Sequence, residues 1–81
     1  MPNLEIQTSP NPASSEVLIK TPTDKIMREI RLLNATGSLV FQQTGIDKNE
    51  YRLNVSKIVP GMYIVQIRFD EGITARQIIV Q

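Results

Sequence analysis

Hydroxyls and scattered carboxylates are the side chains of this sequence that come nearest to catalytic chemistry, and neither set has the partners that chemistry needs. A serine or threonine becomes a nucleophile when a neighbouring base takes its proton, and the chain contains no histidine and no cysteine. These gaps also remove the commonest general base, the commonest transition-metal ligand and every thiolate. Glycoside hydrolysis needs two carboxyls of divergent acidity across a substrate. Asp70 and Glu71 are adjacent in one polar turn, and Asp47 and Glu50 fall in another loop, so neither pair is expected to diverge. Loop carboxylates and carbonyls leave a weak calcium site open, although no segment carries ligands at the offsets of a calcium-binding hand. Gly37, Gly45, Gly61 and Gly72 stand singly, and no glycine-rich run precedes Lys-Ser or Lys-Thr to cradle phosphate. No enzyme activity, cofactor or metal is expected.

Size and charge narrow the classes further. With 81 residues the chain forms a single domain over 1–81, residues 1–3 being expected as a disordered or vector-derived start. A 41% hydrophobic content supports one continuous core and argues against disorder through the body of the chain. The formal charge of +1 gives no long-range field for nucleic acid or an anionic membrane, and the densest basic grouping is Arg28 and Arg31 around Glu29. No nucleic-acid partner and no membrane span are expected, because no apolar run is long enough. Met1 to Gln7 lack the basic start and apolar stretch of an export leader, which fits either a cytosolic protein or a piece of a longer exported one.

What must position any functional surface is a set of short strands. Leu4, Ile6 and Thr8 share one parity, opposite Glu5 and Gln7, and the prolines of Ser9-Pro10-Asn11-Pro12-Ala13-Ser14-Ser15 end that segment. Val17 to Thr21 follows, with Val17 and Ile19 together. Ile26 to Leu33 is a third strand, Ile30 and Leu32 inward; the room between Pro22 and Gly37 disfavours the helix that Met, Glu and Arg would otherwise support. Asn34-Ala35-Thr36-Gly37 turns the chain, Gly37 supplying positive φ. Leu39, Phe41 and Gln43 then alternate with Val40 and Gln42, and Gly45 to Asn49 reads as a polar return loop.

Tyr51, Leu53 and Val55 give the cleanest alternation so far. After Pro60-Gly61, Tyr63, Val65, Ile67 and Phe69 face inward, opposite Met62, Ile64, Gln66 and Arg68. This segment is expected to be central. Asp70-Glu71-Gly72 closes a hairpin with Gly72 in the left-handed position. Ile73 to Val80 is the last strand; Ile78 and Val80 compete with Ala75 and Ile79 for the inward parity, which stays open. Short strands at this spacing are the pattern of a sandwich or small barrel; the need of each half-apolar sheet for a covering layer favours an all-β, immunoglobulin-like Greek-key sandwich of about seven antiparallel strands, structurally centred on Tyr63, Val65 and Ile67. The position of Tyr63 further predicts a buried ring whose hydroxyl bonds backbone just upstream. Phe41, Tyr51, Tyr63 and Phe69 all fall on apolar parities, so stacking of bases or sugars on exposed rings is disfavoured.

Three blocks in this order resemble a known family. They are Ser9-Pro10-Asn11-Pro12-Ala13, then Ile30 to Val40 with its Asn34-Ala35-Thr36-Gly37 turn, then Leu53 to Ile67 through Pro60-Gly61-Met62-Tyr63, followed by Arg76 to Gln81. The chain resembles, from Ile6 to Gln81, the type A C-terminal sorting domain of cargo proteins of the Bacteroidota type IX secretion system. The resemblance implies a signal that directs an attached cargo across the outer membrane to the medium or cell surface. Its implied partners are the outer-membrane secretion translocon and a sortase-like peptidase that removes the domain or exchanges it for a surface anchor. The family commonly has lysine where Arg76 and Gln81 stand here. Recognition is expected at Pro10, Asn11, Pro12 and Ala13, at the turns of Gly37 and Gly61, and along the last strand with Ile78, Ile79, Val80 and Gln81. An edge position for that strand would allow a weak homodimer. The alternative is a non-catalytic carbohydrate- or protein-binding or spacer module appended to an extracellular enzyme.

Overall fold

A computed structural model describes residues 6–10 and 14–81. Within them lie seven strands: β1 (Gln7–Ser9), β2 (Glu16–Lys20), β3 (Met27–Asn34), β4 (Leu39–Lys48), β5 (Glu50–Asn54), β6 (Gly61–Phe69) and β7 (Gly72–Val80). Every pairing is antiparallel. One sheet has the order β1-β2-β5 and the other β4-β3-β6-β7. The two sheets bury one shared core, an arrangement consistent with a β-sandwich.

Alternation decides that core. From the smaller sheet come Val17, Ile19 and Leu53, with Val55 just beyond β5; from the larger come Ile30, Leu32, Tyr63, Val65, Ile67, Phe69, Ile78 and Val80. Full burial of each Val, Ile or Leu is worth about 1.5–3 kcal/mol, so removing period-two order in β6 alone would forfeit most of a small domain's stability. The open register of the last strand resolves as Ile78 and Val80 inward, with Ile79 and Ala75 on the outer face. Thr8 pairs with Ile19, which puts it on the inward parity. Ile6 packs against the core just before β1. Leu4 and residues 1–3 lie outside the described residues.

Two expectations about β4 need correction, and β-bulges are the reason for both. Gly45 to Asn49 is not a return loop: β4 continues through Lys48. The two-residue step from Met27 to Glu29 faces a four-residue step from Thr44 to Lys48. Gly45 (φ 65) and Asp47 (φ 52) absorb the extra length in the left-handed region, which turns Ile46 into the core. Met27, on the opposite parity from Ile30, is buried beside it through the same shift. A second register shift sets Leu32 against Phe41 but Leu33 against Leu39. Leu39 therefore leaves the parity of Phe41 and points outward, 53% exposed.

The Asp70-Glu71 hairpin is present, and Gly72 takes the positive φ expected of it. It pairs with Phe69 as the first residue of β7, with φ 154. Near this hairpin Thr21 is buried: its Oγ donates to the carbonyl of Lys25, the residue whose amine bonds Glu71, at 2.6 Å, and its backbone N–H donates to the Asn49 carbonyl at 2.8 Å. Those bonds tie the β2–β3 connection to the β4–β5 corner and satisfy polar groups the bend would otherwise strand.

Candidate functional site

Three of the expected recognition points gather at one end of the larger sheet. Asn34 pairs with Tyr63, and Gly61 with Val80, so the Gly37 turn, the Pro60-Gly61 entry to β6 and the Val80-Gln81 end of the chain are neighbours. Gly37 has φ 88, and no atom approaches the position a Cβ would take. The turn is held by Asn34, whose Oδ1 accepts from the backbone N–H of Thr36 at 3.1 Å and of Ser38 at 2.9 Å, and from the Thr36 hydroxyl at 2.8 Å. Asn54 does the same for Ser56 at the β5–β6 connection. The expected tyrosine bond is also there: the Tyr63 hydroxyl donates to the Val59 carbonyl, four residues upstream. These contacts make the end rigid without any core of its own.

The other recognition points divide. Pro10 is exposed, after a cis Ser9–Pro10 bond, and follows Ser9, which pairs with Leu18. Asn11, Pro12 and Ala13 lie outside the described residues. Along β7, Ile79 and Gln81 face solvent, whereas Ile78 and Val80 are core residues at 0% and 2% exposure. Their side chains are closed to any partner that meets the intact sheet.

The far end of the larger sheet is electrostatic. Arg28 donates in bidentate fashion to Asp70 (Nε to Oδ1 3.1 Å, Nη2 to Oδ2 3.0 Å) and, from Nη1, to Asp47 at 3.0 Å. One guanidinium thus joins the β6–β7 hairpin to the β4 bulge. Its proton is held more firmly than usual by those two carboxylates, and Asp70 is in turn held below the ordinary carboxylate value. Lys25 donates to Glu71 at 3.0 Å, which raises the lysine and lowers the glutamate. Asp70 and Glu71 each serve a separate cation, so they form no acid–base pair.

On the outer face of the same sheet, Glu29 is covered by its neighbours. It accepts from Gln42 and, at 3.0 Å, from Arg68, while Arg31 sits 3.5 Å away. The Gln42 and Arg68 hydrogen bonds and the two nearby guanidiniums hold its carboxyl below the ordinary value against the cost of desolvation. No cluster of ligands able to hold a metal ion occurs among the described residues. The open cleft between β4 and β5, about 500 Å³, is lined by Gln43, Ile46, Lys48, Glu50, Tyr51 and Arg52. Tyr51 and Phe41 pack partly against the core, so neither ring presents a free stacking platform.

The feature missed from sequence is apolar. The exposed large hydrophobic residues include Leu39 at 53%, Val40 at 42% and Met62 at 40%. Leu39 pairs with Leu33, Leu33 with Ile64, and Met62 follows on the same parity of β6, which makes a continuous outward strip. The smaller sheet's outer face is instead charged, with Arg52 bonded to Glu16 at 2.8 Å and Lys20 4.0 Å from Glu50. Met62 and Ile64 already stood on the outward parity in sequence. Leu39 hides the strip, because plain alternation puts it on the same face as Phe41.

No curated protein matches the chain. A family model does, the secretion system C-terminal sorting domain, over residues 8–81, which covers every strand from Thr8 onward together with both turn clusters. The chain belongs to the family of secretion system C-terminal sorting domains.

Proposed function

We propose that the domain is read as a folded object, through the turns and strand ends gathered at one end of its larger sheet. Family membership makes it a non-catalytic sorting signal that directs export by the type IX secretion system, with its destination outside the cell or on its surface. The match over 8–81 is the observation that carries this role. The chain over 1–81 acts as one sorting unit.

The finer architecture is immunoglobulin-like with Greek-key connections. Supporting this are the crossings between sheets from β2 to β3, β4 to β5 and β5 to β6, and the bond from Tyr63 to Val59. Recognition uses Pro10 to Ala13, the Gly37 and Gly61 turns, and the outward positions Ile79 and Gln81 of the last strand. Ile78 and Val80 act by holding β7 in place. The Asn34-locked Gly37 turn has little conformational freedom left to lose on docking. The partners are the outer-membrane translocon and then a sortase-like peptidase that removes the domain or exchanges it for a surface anchor.

The test is a periplasm-directed reporter fused to residues 1–81, followed in hosts with and without an intact translocon. Export to the medium or cell surface in the first host alone is the expected result. Retention in both refutes the role.

A further inference from the structure

We infer that the outer face of the β4-β3-β6-β7 sheet is the surface on which a protein of the secretion machinery docks, by placing apolar side chains on Leu39, Leu33, Ile64 and Met62 and a carboxylate on Arg31. This rests on the sorting role and adds to it the surface and the chemistry of the partner.

The strip is contiguous by register. Leu39 lies opposite Leu33, Leu33 opposite Ile64, and Met62 is the next residue of that parity on β6. Val40, 42% exposed, adds to its edge at the register shift. Isolated surface hydrophobics need no explanation, but a cross-strand run on one face of a small domain marks an interaction site. The contrast within the molecule sharpens the point. Where the smaller sheet faces water it carries the Glu16–Arg52 and Lys20–Glu50 pairs, a polar solution that the larger sheet uses around Glu29 but not along this strip.

Charge complementarity sets what the partner must bring. Arg31 pairs with Gln42 on one side and Gln66 on the other, one outward step along β3 from Leu33. Its one described ion pair is a 3.5 Å approach to Glu29, whose carboxylate already accepts from Gln42 and Arg68. The Arg31 side chain is 51% exposed. With Glu29 engaged more closely by Arg68, the half-exposed Arg31 guanidinium stays open to an incoming carboxylate at the border of the strip. Anionic headgroups of a membrane respond to a broad or strong positive field, and the net charge of +1 offers neither. A protein segment with apolar side chains and one acidic residue matches the face in detail. Where a few central positions carry the binding, truncating them costs about tenfold or more.

The experiment is a periplasm-directed reporter fused to the full chain in a type IX-competent host, with Leu39→Gln plus Met62→Gln, and separately Arg31→Gln. Glu16→Gln plus Arg52→Gln on the other sheet is the control. The inference expects about tenfold less extracellular reporter for the apolar pair and a smaller loss for Arg31→Gln. It also expects no loss for the control and unchanged urea midpoints for all three purified domains. Full export of the apolar pair overturns the docking surface while the sorting role stands. A wild-type fusion that stays in the periplasm overturns the sorting role and this inference together. Two further outcomes also overturn it by naming another occupant. One is a concentration-dependent dimer in analytical ultracentrifugation that Leu39→Gln plus Met62→Gln dissolves. The other is co-sedimentation of the intact domain, but not that variant, with phosphatidylglycerol–phosphatidylethanolamine vesicles. A photo-crosslinker at position 39 whose adduct in cells is an outer-membrane secretion subunit supports it.

Discussion

Replacing Tyr63 with phenylalanine isolates one hydrogen bond at a corner of the fold. The ring is 6% exposed and would stay where it is, packed in the core. The change deletes only the hydroxyl that donates to the Val59 carbonyl. How much that costs depends on what the carbonyl does next. Val59 lies in an exposed connection and the bond is only part-buried, so the loss is that of one bond at the surface of the fold and not of an acceptor sealed in the core. The expected loss is then about 1 kcal/mol, the net value of one hydrogen bond. For 81 residues the unfolding entropy is about 170 cal/mol/K, so the melting temperature should drop by about 6 °C. In urea the midpoint should fall by about 0.7–1 M for a domain of this size. Tyr51→Phe is the internal control, because the Tyr51 hydroxyl makes no hydrogen bond among the described residues, and its midpoint should not move. An unchanged midpoint for Tyr63→Phe, or equal losses in both variants, would refute the reasoning.

The remaining expectations concern charge, backbone and core. Glu29, Asp70 and Glu71 are held below their ordinary values of 4.5, 3.8 and 4.5. Their contribution is therefore complete above those values and disappears as pH falls through the lower folded-state ones. Lys25 is raised above 10.5, so its contribution is complete below that value and is lost as pH rises beyond it. Urea midpoints should thus be flat around neutrality and fall on the acid side, and Glu29→Gln should flatten part of the acid limb. Gly37→Ala meets no atom but forces a side chain to φ 88, which should cost about 1 kcal/mol by urea titration, with Gly37→Asn milder. Ile67→Ala in the fully buried middle of β6 should cost about 2–5 kcal/mol, enough to lower the melting temperature by more than ten degrees or to unfold the domain outright.

Most of the fold was legible because burial here follows period two. The inward parity of β6, of Val17 and Ile19 in β2, and of Ile30 and Leu32 in β3 could be read from alternation alone, as could the turn at Gly37. The errors share one cause. A register shift inserts a residue that alternation cannot see, so Leu39 leaves the face it shares with Phe41 in sequence, and Ile46 enters the core from a stretch that reads as a loop. Gly45 was the available signal for the larger bulge, but a single glycine followed by Asp47-Lys48-Asn49 reads equally well as a turn. The last strand stayed open for another reason: Ile78, Ile79 and Val80 are all apolar, and only pairing of Tyr63 with Ile78 separates them. The Glu29 cluster was beyond reach from sequence, since Arg68 and Gln42 come to it from two other strands. The outward strip was half visible in Met62 and Ile64, and incomplete because of Leu39.

The central claim is that the folded two-sheet body, and not an unfolded tail, is the export signal. Ile67→Asp puts a charge into the fully buried core and should unfold the domain while leaving Pro10 to Ala13, both glycine turns and the final residues intact in sequence. The measurement is the extracellular fraction of a periplasm-directed reporter carrying either version in a translocon-competent host. The intact domain should send the reporter out, and the Ile67→Asp version should hold it in the periplasm. Equal export of the two would contradict the account.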